Sequence, residues 1–296
     1  MYPNVDNVEV FSIYKERSII LRFIRFCHHK FKVFPKCRKF WLGSWKNKVD
    51  CDTNVIIFDT LFDDFPLDFL LQQKVNRIIV CYRNRVHDIN YNGLVLYNPC
   101  LLKKIYRCDV WSYSEQDCLQ YNLNLYHQFH IISKSDIDVE INPIYDFFFV
   151  GSDKGRISTI VELAHRISSL GFSYLFKVVP TASNYSDQEK QFLSKPIPYN
   201  EVIGYIKKSK CVVDIVSNQN CGLTYRSLEA YIFKKKLITN YMNIINESFY
   251  NKDNVFIIGY DDFENLSDFI AIPFKADCDI YKEYSFETFC ATVFKV

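Results

Sequence analysis

Short apolar runs recur along the chain, separated by polar turns and by stretches with helical spacing. In the first half, strands are expected at 8–14, 54–58, 77–81, 93–97 and 109–112, and helices at 18–34, 66–74 and 115–121. Pro35 stops the first helix, and Pro66 suits the first turn of the second. The alternation then restarts, with strands at 145–150, 173–179, 211–216, 237–241 and 255–258 and helices at 158–170, 199–208 and 226–233. In 158–170, Ile160, Leu163, Ile167 and Leu170 fall on one face, and Gly171 fits the C-terminal cap. Two rounds of strand and helix imply two α/β domains, each with a parallel sheet. The polar stretch 133–143, ending in Pro143, marks the boundary. The domains are therefore expected at 1–140 and 141–275, followed by a tail at 276–296. Aromatic spacing in that tail suits a short helix that packs back on the first domain. The stretch 180–198, rich in Ser, Asp, Gln and Pro, reads as irregular.

Composition narrows the class. A chain of 296 residues has room for two domains, and 49% hydrophobic with 24% charged residues is globular. Its 26 Phe and 21 Tyr, with abundant Asn, Ile and Lys, fit an AT-rich genome and carry no chemistry. Eleven Cys occur singly, without Cys-x-x-Cys, as expected of reduced cytosolic thiols. No signal-peptide pattern and no apolar run long enough to span a membrane are seen. The net charge of +2 hides an asymmetry: residues 15–48 hold 11 Lys/Arg against Glu16 alone, leaving 25 basic and 33 acidic groups elsewhere. That segment also carries Phe23, Phe26, Phe31, Phe34, Phe40, Trp41 and Trp45. It suits an anionic partner such as a membrane face, a lipid diphosphate or a nucleic acid, or else a solvated helix with one packed face.

Two loops carry candidate chemistry. Gly222-Leu-Thr-Tyr-Arg-Ser-Leu-Glu229 follows an apolar strand and a polar loop, Ser217-Asn-Gln-Asn220, and opens a helix. A diphosphate is held at a helix N-terminus in such a unit, and a carboxylate one to two turns inside, here Glu229, reaches a ribose hydroxyl. Gly151-Ser-Asp-Lys-Gly-Arg156 likewise joins a strand to a helix and offers backbone N–H groups and a guanidinium to phosphate. Each loop alone also reads as an ordinary strand-to-helix connection. Both belong at the carboxyl ends of strands, where open α/β sheets bind ligands.

The chain resembles bacterial GT-B glycosyltransferases that build surface polysaccharides of the lipopolysaccharide, O-antigen and capsule type. Trp41-Leu-Gly-Ser-Trp45, Tyr82-Arg-Asn-Arg85, Asp109-Val-Trp-Ser-Tyr-Ser-Glu-Gln-Asp117 with Tyr121-Asn-Leu123, and 145–156 together with 222–240 carry the resemblance. Tyr113-Ser114 stands where Phe-Asp is usual in that family. The resemblance implies two Rossmann-like domains facing across a cleft, the second for the donor and the first for the acceptor. Gly151, Lys154 and Arg156 would meet the donor diphosphate, and Thr224, Tyr225 and Arg226 its phosphate or sugar. Glu229 would take the ribose, and Pro196-Ile-Pro198-Tyr199 would lie beside the base. His28, Arg38, Lys39, Trp41, Trp45 and Asn84 would belong to the acceptor or membrane side.

An inverting transferase needs a base for the acceptor hydroxyl. Asp59, directly after an apolar strand, ranks first, ahead of Asp63, Asp64, His28 and His29. A strand-end Asp also serves as a cap or turn residue. The pairs Asp50/Asp52, Asp136/Asp138 and Asp277/Asp279 do not end apolar strands, and His127 and His130 lack a third ligand, so no metal is expected. Arg156, Arg226 and a helix dipole would neutralise the leaving group instead. No Gly-x-Ser-x-Gly hydrolase motif is present.

These readings combine into a hexosyltransferase without a cofactor. It would use a nucleotide-diphosphate sugar, taken as UDP-linked, and a lipid-linked oligosaccharide. Segment 15–48 would dock it from the cytoplasm on the inner membrane, with no nucleic-acid partner. The alternatives are a sugar-nucleotide epimerase and a non-catalytic binding protein that uses the basic segment.

Overall fold

Runs rich in β-branched and aromatic residues form the strands, and their pairing makes two separate parallel sheets. The computed structural model describes residues 5–15, 19–31, 35–59, 61, 63–86, 98–137, 141–217, 222–276 and 279–295. The expected strand at 93–97 lies outside these residues, as do 218–220 of the polar loop and 138–140 of the expected boundary stretch. Contacts divide the chain into two compact units, Tyr2–Tyr126 with Ala291–Val296, and His127–Cys290.

In the first unit β1 (Asn54–Phe58), β2 (Arg77–Tyr82), β3 (Asp109–Ser112) and β4 (Asn124–Leu125) pair in that order, all parallel. Helix α1 spans Ile19–Lys30, α2 Phe65–Gln73 and α3 Glu115–Tyr121. Pro66 sits in the first turn of α2, where no N–H is needed, and Lys74 ends the helix in the left-handed region at φ 55°. Leu67, Leu70, Ile78, Val80 and Val110 form the core with Trp41 and Trp45. The stretch 8–14, expected as a strand, does not form one. Tyr14 bridges Leu42 antiparallel, with Lys15 N donating to Trp41 O and Gly43 N to Ile13 O. The 3₁₀ turns Pro35–Trp41 and Ser44–Asn47 bracket this pairing and keep the ladder from extending. Gly43 is required there, because a Cβ would lie 2.2 Å from Ser12 O.

In the second unit β5 (Tyr145–Ser152), β6 (Tyr174–Val179), β7 (Ser209–Asp214), β8 (Lys236–Thr239) and β9 (Val255–Ile257) order as β6-β5-β7-β8-β9, all parallel. Both faces are covered, as a parallel sheet demands. Phe147, Phe149, Cys211 and Val213 pack on one face with α4 (Ile157–Ser169). Phe148, Val150 and Val212 pack on the other with α5 (Tyr199–Lys207) and α6 (Tyr225–Ile232). Each fully buried Phe contributes about 1.5–3 kcal/mol. Leu170, expected on the buried face of α4, is exposed: the helix ends at Ser169 and Gly171, at φ 82°, turns the chain away. The stretch 180–198 contains one short helix, Asp187–Lys190, fixed by a capping box of Ser186 and Glu189.

The aromatic tail forms Ile280–Glu283 and the longer α7 (Phe286–Lys295). Phe289 stacks on Phe129 at 4.2 Å, and Arg77 Nη1 donates to Phe294 O in the first unit. His130, buried, clamps the tail: its Nε2 meets Tyr281 O at 2.7 Å, its Nδ1 accepts from Ile132 N at 3.1 Å, and its own N–H donates to Tyr284 O at 2.8 Å. With Nδ1 an acceptor, the ring is neutral. Burial pulls its pKa below the ordinary 6.5, against the Tyr281 carbonyl, which raises it. No described helix is long and apolar enough to cross a membrane.

A group whose folded pKa is depressed lends its stability above its unfolded pKa and loses it as pH falls toward the folded value. The protein is therefore expected to lose thermal stability as pH falls below about 6.5, the ordinary His value. In thermal melts across this range, His130→Gln should flatten that acid-side slope; an unchanged slope would assign it to other groups.

Candidate active site

In the second sheet β5 pairs on one side with β6 and on the other with β7, so the strand order reverses there. Open parallel sheets bind ligands outside the carboxyl ends of strands at such a reversal. Arg156 ties the two strand ends together. Its Nε and Nη2 donate to Ser152 O at 3.1 and 3.0 Å, and its Nη1 donates to Ile215 O. Gly151 makes room for it, since a Cβ there would lie 2.7 Å from Arg156 Nη2.

The loop between them is built around Asp153, a buried residue not singled out from the sequence. Its Oδ1 accepts from Arg156 N at 3.0 Å and Ile157 N at 2.9 Å, so the start of α4 holds the chain's own carboxylate. Its Oδ2 accepts from Tyr185 OH at 3.0 Å. Lys154 and Gly155 take left-handed φ values of 47° and 77°, and Lys154 N donates to Thr181 Oγ1. The Lys154 side chain is exposed.

The loop after β7 is arranged differently. Thr224 caps α6, its Oγ1 accepting from Arg226 N at 3.1 Å and Ser227 N at 3.4 Å. Buried Asp214, the last residue of β7, accepts from the hydroxyls of both Thr224 and Ser227 and so pins the helix start to the strand end. Asn240 holds the exit of β7 by exchanging two hydrogen bonds with the Val216 backbone at 2.7 and 3.0 Å. Tyr225 and Arg226 follow in the first turn, both half-buried. One turn on, Glu229 is fully buried and ion-paired with Arg226, and neither of its oxygens accepts a hydrogen bond from a described group. Burial pulls the Arg226 pKa down, and the fields of Tyr199 and Asp214 oppose this. Tyr199, whose field acts on Arg226, starts α5 directly after the exposed Pro198.

In the first unit, Asp59 follows β1 and is buried. Its Oδ2 accepts from Asn84 N at 3.0 Å and Asn84 Nδ2 at 3.1 Å, so two residues singled out from separate stretches meet. Its Oδ1 has no partner among the described residues. The loop that carries Asn84 is fixed by the buried pair Arg85–Asp117 at 3.5 Å, by Val86 N on Asp117 Oδ2 at 2.9 Å, and by Tyr126 OH on Tyr82 O at 2.8 Å. Asp63 is committed to structure, accepting from Phe65 N and pairing with Arg38 at 3.2 Å. Arg38 also stacks over Phe65, and exposed Lys39 lies over Phe69. Trp41 and Trp45, expected on an acceptor or membrane surface, are instead core residues: both are buried, and their indole N–H groups donate inward, Trp41 to His28 Nδ1 at 2.7 Å and Trp45 to Ile13 O at 2.8 Å.

No protein-family model matches the chain, and no curated protein matches it. Solved structures do. TarM aligns with a TM-score of 0.57 at 14% identity over 85% of this chain. AviGT4, a glycosyltransferase involved in avilamycin A biosynthesis, aligns with a TM-score of 0.53 at 10% identity over 82% of this chain and 83% of its own. The fold is that of GT-B glycosyltransferases. The chain spans 56% of the TarM chain.

Asp153, Asp214 and Asn240 each had a sequence signal that went unused: a short polar residue at or just beyond the end of an apolar strand. Asp117 belonged to a quoted stretch, but its burial could not be read from spacing.

Removing one partner of a buried ion pair costs about 3–5 kcal/mol, because the other charge is left uncompensated. Asp117→Ala should therefore lower the unfolding free energy by an amount in that range in urea titrations, whereas a loss under about 1 kcal/mol, typical of exposed pairs, would place the pair in solvent.

Proposed function

We propose that this chain is a metal-independent GT-B glycosyltransferase. It moves a hexose from a nucleotide-diphosphate sugar, a UDP-sugar, to a lipid-linked oligosaccharide in bacterial surface-polysaccharide synthesis. The observation that carries the reading is Glu229: a fully buried carboxylate one turn inside the helix that follows the reversal point, ion-paired with Arg226 but accepting no hydrogen bond from a described group. Burying such a group is costly unless something donates to it. Ribose hydroxyls are that partner, and Arg226 beside it faces the diphosphate. The glycosyltransferase fold supports the same class of donor.

The chemistry assigned to the first unit is general-base catalysis. Asp59 Oδ1 takes the proton of the acceptor hydroxyl as its oxygen bonds to the anomeric carbon in an inverting transfer. The bond from that carbon to the diphosphate breaks, and Arg226 meets the charge that develops on the leaving group. Asn84 holds Oδ2, which orients the carboxylate. Lys154, with Gly151 and Arg156 beneath it, borders the diphosphate, and Pro198 the base. The basic segment, with Phe23, Phe26 and Phe31 exposed on or beside α1, docks the protein on the anionic inner membrane face, each Lys or Arg adding about 1 kcal/mol.

Thermal-shift titration with a panel of nucleotide sugars tests the donor reading. Stabilisation by UDP and by one UDP-sugar is expected, and its loss in Glu229→Ala. Silence across the panel in the parent protein would overturn it. A transfer assay then separates Asp59 from the donor site: Asp59→Asn should cut transfer by about 10²–10⁴-fold and leave the UDP shift intact. Transfer at the parental rate would remove Asp59 from the mechanism.

A further inference from the structure

A groove in the first unit lies apart from every residue given a catalytic or donor role above. It runs between residues 10–15 and 43–47 and encloses about 780 Å³. Lys15 and Lys46 line it with Ser12, Tyr14, Ser44 and Asn47, and no carboxylate is among its lining residues. Lys46 is held in place by donating to Lys39 O at 2.9 Å and Leu42 O at 3.5 Å. Lys15 lies 4.2 Å from the centre of the Phe40 ring. Lys39 stands close enough that, after burial, the fields of Lys15 and Lys39 push the Lys46 pKa down.

Three cations thus share one neighbourhood, and among the described residues none of them pairs with a carboxylate. Of the described acids nearest in sequence, Glu9 pairs with Lys48, and Asp50 accepts from Thr53 Oγ1 at 2.6 Å and Asp52 N at 3.1 Å. Protein surfaces ordinarily intersperse the two signs. Here the backbone carbonyls of Lys39 and Leu42 and the Phe40 ring fix cations beside one another, and among the described residues no carboxylate offsets their mutual repulsion.

We propose that this groove binds the phosphate or diphosphate of a phosphate ester. Two ammonium groups match the charge of a dianion, and the hydroxyls of Ser12 and Ser44 and the amide of Asn47 supply donors to its remaining oxygens. The volume exceeds what phosphate alone needs. The rest of the ester would lie along Phe11 and Val10, the latter exposed at one end of the groove. This site does not rest on the donor reading, because no residue of 222–229 takes part in it.

The test is calorimetric titration of the full chain with inorganic diphosphate. Arg226→Gln serves as the parent, so that the proposed donor site does not compete. Two variants are added to that background. Lys15→Gln removes a cation that anchors no carbonyl, and Ser44→Glu sets a carboxylate on the rim while leaving Lys46 in place. Saturable binding that weakens about tenfold or more in each variant is expected, the size of one charge-assisted contact. No binding by the parent, or an affinity in either variant equal to the parent's, would overturn the proposal. The source of the ester is read separately. Displacement of diphosphate by glucose 1-phosphate, without groove-dependent vesicle binding, assigns a soluble sugar phosphate. Sedimentation with phosphatidylglycerol vesicles that both variants abolish assigns a lipid phosphate.

Discussion

The second unit depends on how the chain manages the point where its parallel sheet reverses. Helices leave β5 and β7 for opposite faces, so the two strands end side by side without a covering connection, and their last carbonyls need donors. Arg156 supplies them, one guanidinium serving Ser152 and Ile215 at once. The position is available only because residue 151 has no side chain. The same stitch that closes the edge leaves a cation at the place where an open sheet receives ligands.

Around that edge, hydrogen-bond saturation separates two kinds of carboxylate. Asp153 is occupied by two backbone N–H groups and a tyrosine hydroxyl, and Asp214 by two hydroxyls. These acids hold loops to strand ends and helix starts. Glu229, paired with Arg226, and one oxygen of Asp59 are buried without such hydrogen-bond donors among the described residues. Both kinds sit at similar depth, so burial alone does not distinguish them. What does is whether the fold has already spent the lone pairs.

The strands and helices were largely legible, because periodicity depends on neighbours in sequence. The run 145–150 had to be a buried strand, and 158–170 had to be a helix with one apolar face; only the last residue of that face, Leu170, was misplaced, where a left-handed Gly171 redirects the chain. The segment 8–14 alternates like a strand, yet its partner 41–43 is cut short by 3₁₀ turns on either side, a fact written elsewhere in the chain. The candidate site residues divided along the same line. Thr224 and Glu229 could be found from one local unit. The meeting of Asp59 with Asn84 joins two stretches whose contact depends on β1 pairing with β2. Trp41 and Trp45 looked like surface aromatics because a basic segment surrounds them, and their burial follows from acceptors far off in sequence, Ile13 for Trp45 and His28 for Trp41.

Glu229 also bears on how this protein could have been selected. A residue chosen only for folding at that position would be apolar, filling the space between α6 and the sheet without a desolvated charge. Under the proposed donor role, stability and function pull in opposite directions at this one residue. A screen for hardier variants, run without any ligand, would drift toward leucine or methionine at 229 and report the gain as an improvement.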